Sequence, residues 1–128
     1  MATNKEIIQD AYASFAQGDV PAVLAKLAPS IEWTEPAGYP LGGTYVGPQA
    51  IVDGVFMRLG EVGEDFSIGI DRIVADGDTV VALGTTSWKH TDTGAPAEVD
   101  MVHVWTLADG KATSFQMHID TVMVRELS

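Results

Sequence analysis

The sequence predicts an α+β fold in which three helices come first and a strongly curved antiparallel sheet follows. Apolar residues recur at helical spacing in roughly the first half of the chain, whereas β-rich runs separated by glycine-containing turns fill the second half. Helices packed across the concave side of such a sheet cannot fill all of it. We therefore expect one domain, residues 1–128, that encloses a cavity.

Capping residues delimit the first two predicted helices. Thr3 and Glu6 form a capping box at the start of a helix that runs to about Ala16. Asp19 caps a second, short helix that Pro29 ends. The apolar stripes are Ile7, Ile8, Ala11, Tyr12 and Phe15 in the first helix and Val20, Val23, Leu24 and Leu27 in the second.

The rest of the chain is predicted to contain a short strand, a loop, a third helix and four long strands. Ile31 to Glu35 is the short strand, Pro36 to Gly43 is the loop, and Pro48 begins the third helix with its stripe of Ile51, Val55, Phe56 and Leu59. The long strands form an antiparallel meander and are predicted at Phe66–Ala75, Thr79–His90, Ala97–Leu107 and Lys111–Arg125.

The Asp109-Gly110 turn predicts the register of the last hairpin. If Ala108 pairs with Lys111, His103 faces Gln116, and one face carries a polar mixture that is typical of a small-molecule cavity. That face comprises Met101, His103, Trp105, Gln116, His118 and Asp120. The outer face then comprises Val102, Val104, Phe115, Met117, Ile119 and Met123, an apolar stripe that predicts a homodimer through the sheet.

Charge and composition restrict the possible partners. Eighteen acidic against seven basic residues give a net charge of −11, which repels nucleic acids and anionic membrane surfaces. The chain lacks cysteine, which excludes disulfides and thiolate chemistry. No signal peptide or apolar run of membrane-spanning length is apparent, so we expect a cytoplasmic protein with no membrane partner.

The order of these elements, together with three short motifs, resembles the SnoaL-like proteins of the nuclear transport factor 2-like, ketosteroid isomerase-like superfamily. The motifs are IEWTEP at residues 31–36, GGTYVGP at residues 42–48, and an Asp-Gly-Lys hairpin followed by HIDT at residues 118–121. The resemblance covers essentially the whole chain and implies a cone-shaped, cystatin-like α+β roll. Isomerases, cyclases, hydrolases, dehydratases and non-catalytic proteins share this cone, so the resemblance implies the fold more specifically than a reaction.

The resemblance also implies roles for individual residues. Glu35 is similar to the general-base Asp of the steroid isomerases, His103 to their protonated, oxyanion-binding Asp, and Asp120 to the acid of SnoaL-type cyclases. The catalytic Tyr of the isomerases aligns with Ala11, so that Tyr12 lies one position away and is expected to point elsewhere. A straightforward steroid isomerase is therefore not expected.

The chemistry of the residues themselves is compatible with acid-base catalysis. Burial by Trp33 and Tyr39 would raise the pKa of Glu35 toward that of a useful base, whereas at a solvated loop edge Glu35 would have no such role. His103 and His118 are a candidate acid and base, and the alternative is a hydrogen-bonded structural pair.

The remaining candidates are ligand-binding and metal-binding residues. Gln116 or Asp120 would fix a histidine tautomer. The candidate substrate-binding residues are Trp33, Tyr12, Tyr39, Met101, Trp105 and Gln116. Two His, Asp120 and Glu35 have suitable ligand chemistry for a metal, but no metal-ligand spacing motif is present, and we expect neither metal nor cofactor.

These observations favour a cofactor-independent isomerase, cyclase or lyase that acts on a small apolar carbonyl compound of polyketide, steroid or terpenoid type. Glu35 or Asp120 would remove a proton beside the carbonyl, and His103 would donate a hydrogen bond to the enolate oxygen. The alternative is a non-catalytic ligand-binding or dimerisation module with the same cavity. Epoxide hydrolysis is disfavoured because its Asp-Arg-Asp relay needs a pocket arginine, and neither Arg58 nor Arg72 is clearly inward.

Overall fold

The computed structural model describes all residues from Met1 to Ser128. The elements are α1 (Asn4–Ala16), α2 (Val20–Leu24), β1 (Leu27–Glu35), β2 (Gly43–Val46), α3 (Pro48–Gly54), a 3-10 helix (Phe56–Glu61), β3 (Glu64–Asp76), β4 (Thr79–Lys89), β5 (Pro96–Ala108), β6 (Lys111–Ile119) and α4 (Thr121–Leu127). All six strands form one curled sheet in the order β2-β1-β6-β5-β4-β3. The predicted α+β cone is thereby confirmed. None of the helices combines the length and the apolarity that crossing a membrane requires.

Local sequence signals position the helices and the meander as predicted. The capping box forms, since Thr3 Oγ1 accepts from the Glu6 backbone N–H at 3.1 Å and Glu6 Oε1 accepts from the Thr3 backbone N–H at 3.0 Å. Asp109 and Gly110 have φ values of 51° and 77°, the left-handed conformations that a tight hairpin turn of this kind requires. α1 packs against β3 and β4, and α3 packs against β1 and β2, so the helices cover the inner face of the sheet.

Three predicted boundaries were wrong. α2 ends at Leu24, and residues 27–30 already belong to β1, because β1 pairs in parallel with β6 in the middle of the sheet. Gly43, predicted as the end of the loop, instead begins an edge strand, Gly43–Val46, that pairs with β1. The last strand ends at Ile119. Asp120 caps α4, since its Oδ1 atom accepts hydrogen bonds from the backbone N–H groups of Val122 and Met123.

The register of the last hairpin was also predicted wrongly. Ala108 pairs with Lys111 as expected, but a β-bulge follows, and Thr113 is the extra residue of β6. Its hydroxyl donates to the Thr106 carbonyl across the hairpin at 3.1 Å. From there on every side chain of β6 changes face, because successive side chains of a strand point to opposite sides. His103 is consequently paired with Met117 and not with Gln116.

The bulge has two consequences for packing. Phe115 and Met117 are buried on the inner face, where Phe115 stacks on Trp33 at a ring-centroid distance of 3.8 Å and meets Trp105 edge-on at 4.7 Å. The outer apolar stripe is therefore narrower than predicted, since Phe115, Met117 and Ile119 change face and Met123 lies on α4. Its centre is a half-buried patch of two cross-strand pairs, Val81 with Val104 and Leu83 with Val102.

Candidate active site

A cavity lies between the inner face of the sheet and the helices, with a predominantly hydrophobic lining. The cavity has a volume of about 50 Å³ and is partly open to solvent. The lining residues are Ala11, Tyr12, Phe15, Val23, Trp33, Glu35, Tyr39, Val55, Phe56, Leu59, Phe66, Ile68, Thr86, His103, Trp105, Phe115 and Met117. Glu35 contributes the one carboxyl group of the lining and His103 the one imidazole, and no lysine or arginine lines the cavity.

Strand pairing brings Glu35 and His103 to the same level of the cup. In the parallel pairing of β1 with β6, Thr34 is level with Gln116, so Glu35 follows at the level of Met117. Met117 in turn pairs with His103 on β5. With neighbouring strands about 4.8 Å apart, the backbones of Glu35 and His103 lie roughly 10 Å from each other on either side of β6. Both side chains line the same cavity.

Glu35 is a buried carboxyl group with one oxygen bound and one oxygen without a partner. Only 5% of the residue is exposed. Trp33 Nε1–H donates to Oε1 at 2.9 Å, whereas Oε2 has no hydrogen-bond partner. Burial raises the pKa of Glu35 to about 7, against the lowering effect of the Trp33 hydrogen bond. A group with this pKa can accept and return a proton near neutral pH.

A chain of three side chains determines the protonation of His103. Trp105 Nε1–H donates to the Tyr12 hydroxyl at 2.9 Å, and that hydroxyl lies 2.6 Å from His103 Nδ1. Burial lowers the pKa of His103 to about 3, so the imidazole is neutral. The Tyr12 hydroxyl proton has His103 Nδ1 as its acceptor, because the opposite tautomer would leave the hydroxyl proton without an acceptor inside the protein.

It follows that His103 carries its proton on Nε2. This nitrogen has no hydrogen-bond partner in the protein. It is accessible, unlike the three unpaired side-chain atoms that are fully buried, Glu35 Oε2, Thr86 Oγ1 and Trp88 Nε1. His103 itself lines the cavity. The arrangement places one neutral, accessible N–H donor in the cavity at the level where Glu35 holds a buried carboxyl oxygen without a hydrogen-bond partner.

Tyr12 lines the cavity, in agreement with its place among the candidate substrate-binding residues, whereas the expectation from the family alignment that it points elsewhere was wrong. Both Ala11 and Tyr12 line the cavity, because the face that a helix buries is about 100° wide and accommodates neighbouring positions. Trp33, Tyr39 and Trp105 also lie where they were predicted, as lining residues. Burial, followed by the charge of Glu35, raises the pKa of the Tyr39 hydroxyl, which keeps it protonated.

Four predicted site residues lie outside the cavity. Gln116 and His118 are exposed on the outer face because of the bulge at Thr113. Asp120 caps α4 and lines, with His118, an open cleft on the outer side of the sheet. Met101 is buried but does not line the cavity. The prediction that His118 acts in the cavity together with Asp120 is therefore wrong.

Several residues of the apolar wall were not predicted to line the cavity. Phe15 and Phe56 were predicted only as members of apolar helix stripes, and the alternation of β3 was the available signal for Phe66 and Ile68. Thr86 was missed as well, although the alternation of β4 places it inward. No group of three or more His, Cys, Asp or Glu side chains is arranged to hold a metal ion.

The raised pKa of Glu35 predicts that this residue makes the protein less stable at high pH. The proton is bound more tightly in the folded state, with a pKa of about 7, than in the unfolded chain, where the ordinary value is 4.5. The free energy of unfolding therefore falls as the pH rises from 4.5 through 7. Between pH 5 and pH 8 the contribution of Glu35 falls by roughly 2 to 3 kcal/mol.

Urea denaturation of the wild type and Glu35→Gln at both pH values measures this effect. The difference between the two proteins isolates Glu35, because the opposite contribution of His103, whose pKa is lowered, cancels. Glu32→Gln is the control, since Glu32 is exposed on the other face of β1. A difference that does not change with pH would contradict a buried, unpaired Glu35.

Fold and cavity together define a class of protein, an α+β cone with a cavity between its sheet and its helices. The family model of the SnoaL-like domain matches residues 8–115, and the chain belongs to this family. The resemblance stated from the sequence is thereby confirmed. A search of curated proteins finds no match.

Solved structures agree with this assignment. An NTF2-like protein from Burkholderia thailandensis E264 is 38% identical, with 99% of this chain and 98% of that chain covered and a TM-score of 0.93. TerC, co-crystallised with polyporic acid, is 35% identical over 97% of this chain and 96% of that chain, with a TM-score of 0.88. A SnoaL-like protein from Jannaschia sp. CCS1 is 16% identical, with 97% of this chain and 90% of that chain covered and a TM-score of 0.83, and it shares the fold.

Proposed function

We propose that this protein is a cofactor-independent isomerase, cyclase or lyase that moves a proton beside the carbonyl group of a small, largely apolar compound. One observation carries the proposal. Glu35 has a carboxyl oxygen without a hydrogen-bond partner, His103 has an N–H without one, and both residues lie at one level of a largely apolar cavity. A base and a hydrogen-bond donor facing one cavity are the two groups that enolisation requires.

In the proposed mechanism Glu35 Oε2 accepts the proton from the carbon beside the carbonyl. Trp33 Nε1–H holds the other carboxyl oxygen, so that the free oxygen is presented to the substrate. His103 Nε2–H donates to the carbonyl oxygen and binds it more strongly as negative charge develops there. Glu35 then returns the proton to the same or another carbon, and neither residue changes its protonation over the full cycle.

The cavity wall supports an aromatic or polycyclic, uncharged substrate. Aromatic rings from Trp33, Trp105 and Phe115 pack against one another below the level of Glu35, and no cationic side chain is available to pair with an anion. Polyketide, steroid or terpenoid carbonyl compounds meet this description. The complex of the related TerC with polyporic acid is consistent with a small organic ligand for this chain as well.

Proton exchange tests the proposal directly. The protein is incubated in deuterated water with a panel of cyclic ketones, enones and aryl ketones, and NMR follows deuterium incorporation beside the carbonyl. Polyporic acid serves as a binding probe. Catalysed exchange with at least one ketone is expected. Binding of the probes without any exchange would instead assign the protein as a non-catalytic ligand-binding module.

We also propose that the protein forms a homodimer through the outer face of the sheet. Val81, Leu83, Val102 and Val104 form a contiguous, half-buried apolar patch there, and a two-fold axis through it would cover the patch on both copies. Light scattering at micromolar concentration is expected to give twice the chain mass. Val104→Lys is expected to give the monomer mass, whereas Val122→Lys, on exposed α4, leaves the dimer intact. A monomeric wild type would refute the proposal.

A further inference from the structure

The hydroxyl group of Thr86 is a further polar group of the cavity, and the proposed mechanism does not use it. Thr86 is fully buried, at 0% exposure, and its Oγ1 atom has no hydrogen-bond partner. It lines the cavity from the middle of β4, where its cross-strand neighbours are the apolar residues Ile68 and Val99. Trp88 Nε1 is also buried and unpaired, but Trp88 does not line the cavity.

An unpaired buried hydroxyl destabilises the free protein, because it has lost its hydrogen bonds to water without replacing them. A valine side chain would have nearly the same shape without this penalty. A threonine at this position therefore indicates a partner that is not part of the protein. Since Thr86 lines the cavity, a ligand bound there is the candidate partner.

Strand geometry places Thr86 far from the reacting groups. Ala82 is the residue of β4 that pairs with His103, and Thr86 follows it by four positions on the same face. At about 3.3 Å per residue, Thr86 is roughly 13 Å further along the strand. A ligand that contacts both His103 and Thr86 must be elongated and must carry a polar group near each end.

We propose that Thr86 is a ligand-binding residue that hydrogen-bonds a hydroxyl or carbonyl group at the end of the ligand remote from His103. The ligand class is thereby an elongated apolar compound with polar groups at both ends. The orientation of the reacting carbonyl toward His103 rests on the proposed function. The contact with Thr86 is independent of catalysis.

A matched pair of ketones tests the contact. 4-Acetylbiphenyl and 4-acetyl-4′-hydroxybiphenyl differ by one hydroxyl group at the end opposite to the ketone. Calorimetry is expected to show that the wild type binds the hydroxylated ketone roughly fivefold to tenfold more tightly, the effect of one neutral hydrogen bond. Thr86→Val is expected to abolish this preference, and Thr86→Ser, which keeps the hydroxyl, is expected to retain it.

The results separate this proposal from the proposed function. Equal affinity for the two ketones, including the absence of binding to either, overturns the role of Thr86, as does a preference that survives in Thr86→Val. A preference without deuterium exchange supports Thr86 and overturns the catalytic proposal. The melting temperature gives a second test, because Thr86→Val is expected to be at least as stable as the wild type. A decrease of several degrees would reveal a partner inside the protein and overturn the inference.

Discussion

Replacement of Glu35 by Gln is expected to lower the rate of deuterium exchange into a bound ketone by about 10³-fold, within the usual range for removal of a general base. The amide oxygen of Gln can still accept the hydrogen bond from Trp33 Nε1, so the cavity is expected to keep its shape. What the variant loses is the basic oxygen that Oε2 provides. The rate is measured by NMR in deuterated water at saturating ketone.

The pH dependence of this rate gives a second signature of Glu35. The carboxylate is the form that abstracts the proton, and the pKa of Glu35 is about 7. The rate is therefore expected to rise as the pH increases through 7 and to level off above it. Glu32→Gln, on the exposed face of the same strand, is expected to leave the rate and its profile unchanged. A Glu35→Gln variant within tenfold of the wild type would show that another group is the base.

Replacement of His103 by Ala is expected to lower the same exchange rate about 100-fold, the effect of losing one preorganised donor to an enolate oxygen. His118→Ala is the matched control, because His118 is exposed on the outer face of the sheet and should not contribute. Circular dichroism establishes that both variants are folded at the temperature of the assay. Equal rates in the two variants would remove His103 from the mechanism.

The protonation of His103 can be observed independently of catalysis. The chain has three histidines, which simplifies assignment of the nitrogen-15 spectrum. We expect a protonated Nε2 and an unprotonated Nδ1 for His103 at neutral pH, because Nδ1 accepts from the Tyr12 hydroxyl. Tyr12→Phe removes that donor and is expected to shift the Nδ1 resonance. A protonated Nδ1 in the wild type would reverse the assignment of donor and acceptor.

Much of the fold was predictable because local chemistry and tertiary structure agree. The capping box at Thr3 and the turn at Asp109-Gly110 each satisfy backbone groups within a few residues, and both form as predicted. The end of the chain was harder to predict. Its β-branched residues Val122 and Val124 favour a strand, but the carboxylate of Asp120 caps the backbone there and a helix forms.

The site was predicted less completely, for a physical reason. Glu35, His103 and Trp105 were placed correctly because they lie on β1 and β5, where the bulge of β6 does not change which face a side chain occupies. Gln116 and His118 were misplaced because a bulge adds one residue without a distinctive sequence signal, and one residue reverses the face of all that follow. The parallel pairing of β1 with β6 is non-local, and no pattern within either segment reports it.

The bulge at Thr113 also bears on how this scaffold can diversify. Deletion of that single residue would restore the regular ladder and exchange the two surfaces of the strand beyond it, bringing Gln116 and His118 inward and turning Phe115 and Met117 to solvent. The loss of one codon would thus replace the apolar side chains of β6 in the cavity wall by polar and titratable ones, without any substitution. In proteins of this architecture, hairpin length is a heritable variable of binding chemistry, and insertions or deletions can change it as decisively as substitutions.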